Sequence, residues 1–111
     1  MLKTSLADLS IESVSHEPGI KKKVFVRKGQ MGNITQISLV TFLPGQVASI
    51  HRHQDMWETF IVQMGKGTIE VNQELIFIEA GDCVVVSPGE SHEVKNTGVK
   101  EMKVLVIGEE I

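Results

Sequence analysis

The sequence predicts an all-β sandwich or barrel, and three observations predict it. Apolar and polar residues alternate with a period of two in most segments after Ser10. Turn residues punctuate these segments often enough to cut the chain into about nine or ten short strands. No long segment carries the 3.6-residue period of an amphipathic helix. At 111 residues the chain reads as a single domain, 1–111, large enough to close a core without staples.

Taken in order, Leu2, Leu6 and Leu9 share a helical spacing that allows one short helical turn. Ile11-Glu12-Ser13-Val14 is the first strand, closed by the strong turn signal Glu17-Pro18-Gly19. His16, just before that turn, reads as an exposed histidine without a role. A second strand runs from Lys22 to Arg27, and 28–33 is a loop. Ile34 to Phe42 alternates, with Gln36, Ser38, Val40 and Phe42 on one face and Ile37, Leu39 and Thr41 on the other. Leu43-Pro44-Gly45 turns the chain into a strand from Val47 to His53, whose inward set is Val47, Ser49, His51 and His53. Glu58 to Met64 follows, with Phe60, Val62 and Met64 on the face of Glu58. Gly65-Lys66-Gly67 reads as a hairpin turn, and Asn72-Gln73 as a second, tight one between Thr68–Val71 and Glu74–Glu79. Ala80-Gly81-Asp82 breaks the chain before Cys83–Ser87. After the turn Pro88-Gly89-Glu90-Ser91, the residues His92, Val94 and Asn96 share a face, and Met102–Ile107 is the last strand.

Composition narrows the function classes. A net charge of −3 gives no electrostatic footprint for nucleic acid. The one basic run, Lys21-Lys22-Lys23, directly precedes Val24-Phe25-Val26 and reads as a lysine-blunted edge strand. The single cysteine, Cys83, excludes an internal disulfide; it lies in a valine run and reads as buried and inert. The N-terminal residues carry no apolar signal-peptide core, and no window approaches the length of a membrane span. The expectation is a cytoplasmic protein without nucleic-acid or membrane partners.

The chemistry concentrates between Gly45 and Glu58. His51 and His53 are one residue apart, so on a strand they face the same way with roots roughly 7 Å apart at about 3.3 Å of rise per residue. Two imidazoles at that separation can lean onto one metal ion, and Glu58 can return on the next strand as a third ligand. Taken alone, the pair reads equally well as two surface histidines on an edge strand. His92, taken alone, reads as a hydrogen-bonded core histidine. Together, the four residues read better as a site of three imidazoles and one carboxylate.

The same residues resemble a known family. Gly45, then five residues to His51, one to His53, four to Glu58 and six to Gly65, reproduce the first cupin motif. Gly81, Pro88-Gly89, His92 and Asn96 resemble the second, with Ser87 where that motif places its proline. The motifs cover residues 45–96. The resemblance implies a cupin-type jelly-roll β-barrel, also described as a double-stranded β-helix. It implies one divalent transition metal per chain on His51, His53, Glu58 and His92, with the glycines as turn residues and Asn96 and Trp57 in structural roles. It also implies a homodimer. Imidazole with carboxylate suits iron, manganese, nickel, copper, cobalt or zinc.

Cupins with this ligand set include dioxygenases, so the resemblance implies a metal-dependent oxidoreductase acting on a small molecule in the barrel. Glu58 would then be both a ligand and the catalytic proton acceptor. The alternative is a non-catalytic cupin that binds or senses a small molecule. The expected pocket is lined by Gln36, Ser38, Phe42, Phe60, Val62 and Val94, with no inward lysine or arginine. That lining favours a small, largely uncharged or metal-chelating ligand and disfavours a sugar-phosphate isomerase, which needs cations for its phosphate. The chain has no tyrosine, which disfavours the tyrosine-dependent epimerases and lyases of the same fold.

Overall fold

Ten strands form two antiparallel sheets that face each other across an apolar core, in a computed structural model that describes residues 1–111. After one 3₁₀ turn at Leu6–Asp8 the strands are β1 (Glu12–Val14), β2 (Glu17–Arg27), β3 (Ile34–Phe42), β4 (Val47–His51), β5 (Met56–Met64), β6 (Lys66–Val71), β7 (Glu74–Glu79), β8 (Cys83–Val86), β9 (His92–Lys95) and β10 (Met102–Glu110). The larger sheet has the order β1-β2-β3-β10-β5-β8, and the smaller β4-β9-β6-β7. This is the jelly-roll β-barrel expected from the sequence. The chain crosses between sheets after β3, β4, β5, β7, β8 and β9.

Alternation supplies the core. Ser38, Val40 and Phe42 of β3, Phe60 and Val62 of β5, and Met102 and Val104 of β10 point inward and are buried. Ala48, Ile69, Ile78 and Val94 join them from the smaller sheet, and Ile20 of β2 and Val86 of β8 complete the cluster. Asn96, fully buried, locks the end of the barrel: its amide donates to the carbonyls of Phe42 and Lys100, each at 2.9 Å, and its side-chain oxygen accepts the N–H of Gly98 at 2.9 Å. Its donors and acceptor are all satisfied, so it is a structural residue, as expected.

Several expectations need correction. The first hairpin turns at Ser15-His16, not at Glu17-Pro18-Gly19. Val14 pairs Glu17 while Ser13 pairs Lys21, so Pro18, which has no N–H to donate, falls where the ladder is interrupted. The run Lys21–Lys23 is not on an edge strand, because β2 lies between β1 and β3. Gly65 is a corner between sheets rather than a hairpin turn. Its φ is 82°, and a Cβ there would fall into the backbone carbonyl of Glu101. Met64 is exposed, because the β5–β10 register slips by one residue at that end. Cys83 is exposed, not buried, since β8 is an edge strand and Cys83 and Val85 take its outward positions. Trp57, expected to pack in the core or at an interface, is 40% exposed and lies outside the core. The Asn72-Gln73 hairpin is as expected, with positive φ at both residues (47° and 69°).

Candidate metal centre

The four candidate donors come from three strands and one connecting segment. His51 ends β4, Glu58 lies on β5, His92 begins β9, and His53 lies in the segment between β4 and β5. Strand alternation does not bring the first two histidines together. Ala48 pairs Val94 while His51 pairs His92, so three steps on β4 oppose two on β9. This bulge leaves both Ser49 and Ile50 exposed and returns His51 to the inward face already occupied by Ala48. The strand then ends. His53 is oriented by its own backbone carbonyl, which accepts the N–H of Gly89 at 2.7 Å and ties this segment to the turn before β9.

The ring nitrogens converge on one oxygen. Glu58 Oε1 lies 2.8 Å from His92 Nε2, 3.2 Å from His53 Nε2 and 3.9 Å from His51 Nε2. One ligand atom from each of the four residues can be chosen so that all lie within 4.8 Å of one another. His51 Nδ1 sits 2.8 Å from the Ser49 carbonyl and His92 Nδ1 3.2 Å from the Glu90 carbonyl. A carbonyl only accepts, so both Nδ1 atoms carry hydrogen, and in the neutral rings Nε2 is a bare lone pair. Two lone-pair nitrogens therefore face a carboxylate oxygen, an arrangement that needs a proton or a cation between them. The donor set fits a metal ion on these grounds.

The protonation equilibria follow the same geometry. Burial works against the His92 imidazolium, but the hydrogen bond to Glu58, the Glu90 carbonyl and the charges of Glu58 and Glu90 outweigh it and raise its pKa. Burial likewise works against the Glu58 carboxylate, yet the hydrogen bond from His92 and the charges of His92, His53 and His51 hold its pKa below the usual value. His51 is lowered, by burial first and then by His92 and His16, against the opposing Ser49 carbonyl and Glu58.

A cavity of about 320 Å³ opens beside this cluster, and His51, His53 and Glu58 line it. Gln36, Ser38, Phe42, Phe60 and Val94 also line it. Val62 does not: it is buried in the core and absent from the lining. Ala48 takes the place expected for Ser49, a consequence of the bulge. Two titratable lining residues were assigned no such place from sequence. His16, at the tip of the β1–β2 hairpin, has its ring centroid 4.4 Å from that of His51. Lys22 faces inward between Ile20 and Val24 and donates to Gln36 Oε1 at 2.9 Å. The expectation of a pocket without lysine is therefore wrong, although a single ammonium is fewer than the several cations a phosphate usually takes. The signal was present in the alternation Ile20, Lys22, Val24, hidden within a run of three lysines.

The cupin domain model matches residues 38–108, which include every one of these donors. The chain belongs to the cupin family. Over 106 residues it is 26% identical to an oxalate-binding protein of Thermotoga maritima, covering 91% of this chain and 88% of that one. It is 36% identical over 81 residues to auxin-binding protein 1 of Arabidopsis thaliana, covering 65% of this chain and 40% of that longer protein. Among solved structures it is similar to a predicted oxalate decarboxylase from Thermotoga maritima, with a TM-score of 0.92, 22% identity, and coverage of 99% and 100% of the two chains.

In this cupin the departure at Ser87 has a structural use. Its N–H, which a proline would lack, donates to Glu90 Oε1 at 2.8 Å. Glu90 Oε2 accepts from Asn72 Nδ2 at 3.2 Å, and Asn72 Oδ1 accepts the Ser91 N–H at 3.0 Å. The turn before His92 is thus bolted to the β6–β7 hairpin. That turn also supplies the Glu90 carbonyl that orients His92 and the Gly89 N–H that orients His53.

Proposed function

We propose that this cupin holds one divalent transition metal on His51, His53, Glu58 and His92 and binds a small chelating carboxylate, with oxalate as the type, on the positions those residues leave open. The observation that carries the reading is the aim of three Nε2 atoms at one carboxylate oxygen beside a 320 Å³ cavity, two of them fixed as lone-pair donors by backbone carbonyls. The relative named for oxalate binding supports the ligand class. Iron, manganese, nickel, copper, cobalt and zinc all suit these donors, and a six-coordinate ion with four protein ligands keeps about two positions free. Bound there, such a metal supplies Lewis acidity or oxygen activation.

A second reading is turnover, as a dioxygenase-like oxidoreductase with Glu58 as proton acceptor. It is favoured by the scarcity of other acid–base groups: apart from the donors, the titratable side chains lining the cavity are His16 and Lys22. That inventory suits chemistry centred on metal and oxygen better than proton transfer between protein groups. The same scarcity suits binding without turnover.

The test begins with elemental analysis of protein purified without chelator, beside His51→Ala. Stoichiometric metal in the wild type and its loss in the variant are expected; metal retained at the wild-type level in the variant overturns the donor assignment. Calorimetric titration with oxalate is expected to show binding only to loaded protein. Oxygen uptake with oxalate, catechols and diketones then separates turnover from binding.

A homodimer fits the outer face of the larger sheet. Leu39, Leu105 and Ile61 form one outward cross-strand row, and Ile37, Ile107, Thr59 and Val85 the next, with Trp57 beside them. A second copy would cover this apolar surface about a two-fold axis. Light scattering is expected to give twice the chain mass, reduced to one by Ile107→Glu. No helix is long and apolar enough to cross a membrane, and a lone exposed thiol at Cys83 suits a reducing compartment such as the cytoplasm.

A further inference from the structure

We infer that Lys22, held by Gln36, is the residue with which the cavity recognises negative charge on its ligand, and that the ligand is a small dianionic chelate carrying charge beyond the part seated on the metal. The inference rests on the metal-centred reading above. Lys22 lies on the inward face of β2 between Ile20 and Val24, both buried, so its ammonium is carried into the barrel rather than out to solvent. Lys22 also borders a groove on the outside of the sheet, but Gln36, which its Nζ contacts, lines only the inner cavity.

The ammonium has no carboxylate partner. Its hydrogen bond goes to a neutral amide oxygen, and no ion pair of the chain includes it. The cross-strand acid is Glu12, whose carboxylate is engaged by Arg27 through both of its oxygens. The one carboxylate lining the cavity is Glu58, and three imidazoles surround it. A part-buried ammonium with two N–H groups to spare, hydrogen-bonded only to an amide and opposite a carboxylate that Arg27 already holds, is a site for an anion. The donor cluster lines the same cavity, whose 320 Å³ lies at the small end for ligand sites. A small anionic ligand in that cavity would have both the metal donors and the ammonium in its walls. One ammonium is fewer than the several cations that usually clamp a phosphate, so a dicarboxylate is the better match.

The experiment measures metal content first, then ligand affinity. Wild type, Lys22→Met and Gln36→Glu are loaded with manganese and titrated calorimetrically with oxalate, malonate and the singly charged analogue oxamate. Lys22→Met keeps the aliphatic stem that packs in the barrel wall and removes the charge. Gln36→Glu leaves Lys22 in place and supplies it with an internal carboxylate. The wild type is expected to favour the dianions over oxamate, and both variants are expected to lose on the order of 10- to 100-fold in dianion affinity, with little change for oxamate and none in bound metal. Full metal with unchanged dianion preference in both variants overturns the role of Lys22 and leaves the metal reading standing. Failure of the wild type to take metal overturns the metal reading, and this inference with it. Two variants guard against misfolding, since each must melt as the wild type does to be scored.

Discussion

The four donors differ in burial, and this sets apart what each contributes to the fold from what it contributes to the metal. The His92 side chain is 1% exposed, faces the Phe60 ring at 5.7 Å and supplies the 2.8 Å partner of Glu58. The His53 side chain is 35% exposed, and its contact with Glu58 is 3.2 Å. His92→Ala opens a hole in the barrel wall and strands a carboxylate that is itself mostly buried, a combined cost of about 3 kcal/mol. His53→Ala removes a half-solvated contact and costs less than about 1 kcal/mol. For a chain of this size, about 4 °C of melting temperature goes with each kcal/mol, so the metal-free variants should melt about 12 °C and less than about 4 °C below the wild type. Metal at a hundred times its dissociation constant adds about 2.7 kcal/mol, or about 11 °C, to the wild type. Both variants should lose most of that rise. The assay is calorimetric melting of chelator-stripped protein, repeated during manganese titration. The reasoning fails if the two metal-free variants fall equally, or if His53→Ala keeps the full metal-dependent rise.

Three further outcomes are expected. Asn96→Ala deletes three hydrogen bonds of a fully buried side chain that tie the ends of β3 and β9 to the segment before β10, and should cost about 2–4 kcal/mol in denaturant unfolding without altering metal content per folded molecule. Gln73→Gly relieves a non-glycine residue at φ 69° in the β6–β7 hairpin and should raise stability by about 1 kcal/mol; a fall would show that the side chain matters more than the backbone strain. Glu17 accepts the Ser49 N–H at 2.9 Å, and hydrogen bonding from Ser49, side chain first and then backbone, lowers its pKa from 4.5. A lowered folded-state value means that this stabilisation is present above about 4.5 and lost as pH falls through the folded-state value. Glu17→Gln should therefore melt below the wild type at neutral pH and with it in strong acid; a gap that persists in acid would exclude the carboxylate as its source.

The fold and the donors were legible because both are written in local patterns. Period-two alternation marks β3, β5, β9 and β10 to within a residue or a few, and the histidine and glutamate spacings mark the site. The reasons for the convergence were less legible. Uniform alternation put His51 and His53 on one face of one strand, whereas the chain achieves this through a bulge after Ala48 and a segment pinned by Gly89. A bulge depends on what the partner strand offers, and a carbonyl-to-N–H bond across 36 residues has no local signature. Lys22 was misread for a different reason: a charged run suggests solvent, and only the buried Ile20 and Val24 on either side reveal that its middle member points inward. His16 reached the site because the first hairpin turns at Ser15-His16, which brings that ring to His51.

The positions of these residues in the chain divide metal binding from ligand recognition. All four donors lie between residues 51 and 92, and each is oriented by bonds within residues 49–92: Ser49 holds His51, Gly89 holds His53, Glu90 holds His92, and the imidazoles hold Glu58. The cavity's opposite wall comes from outside it. β2 contributes Lys22, β3 contributes Gln36, and the hairpin before β2 lays His16 on His51 while Glu17 clasps the Ser49 bulge. His51 and His92 belong to the smaller sheet and Glu58 to the larger, so a shared ion would pin the two sheets together at this end. The anion-facing wall hangs from that same pinned edge. Changes in β2 can therefore retune which carboxylate is accepted without touching a donor, whereas changes at the bulge should move the metal and the ligand preference together.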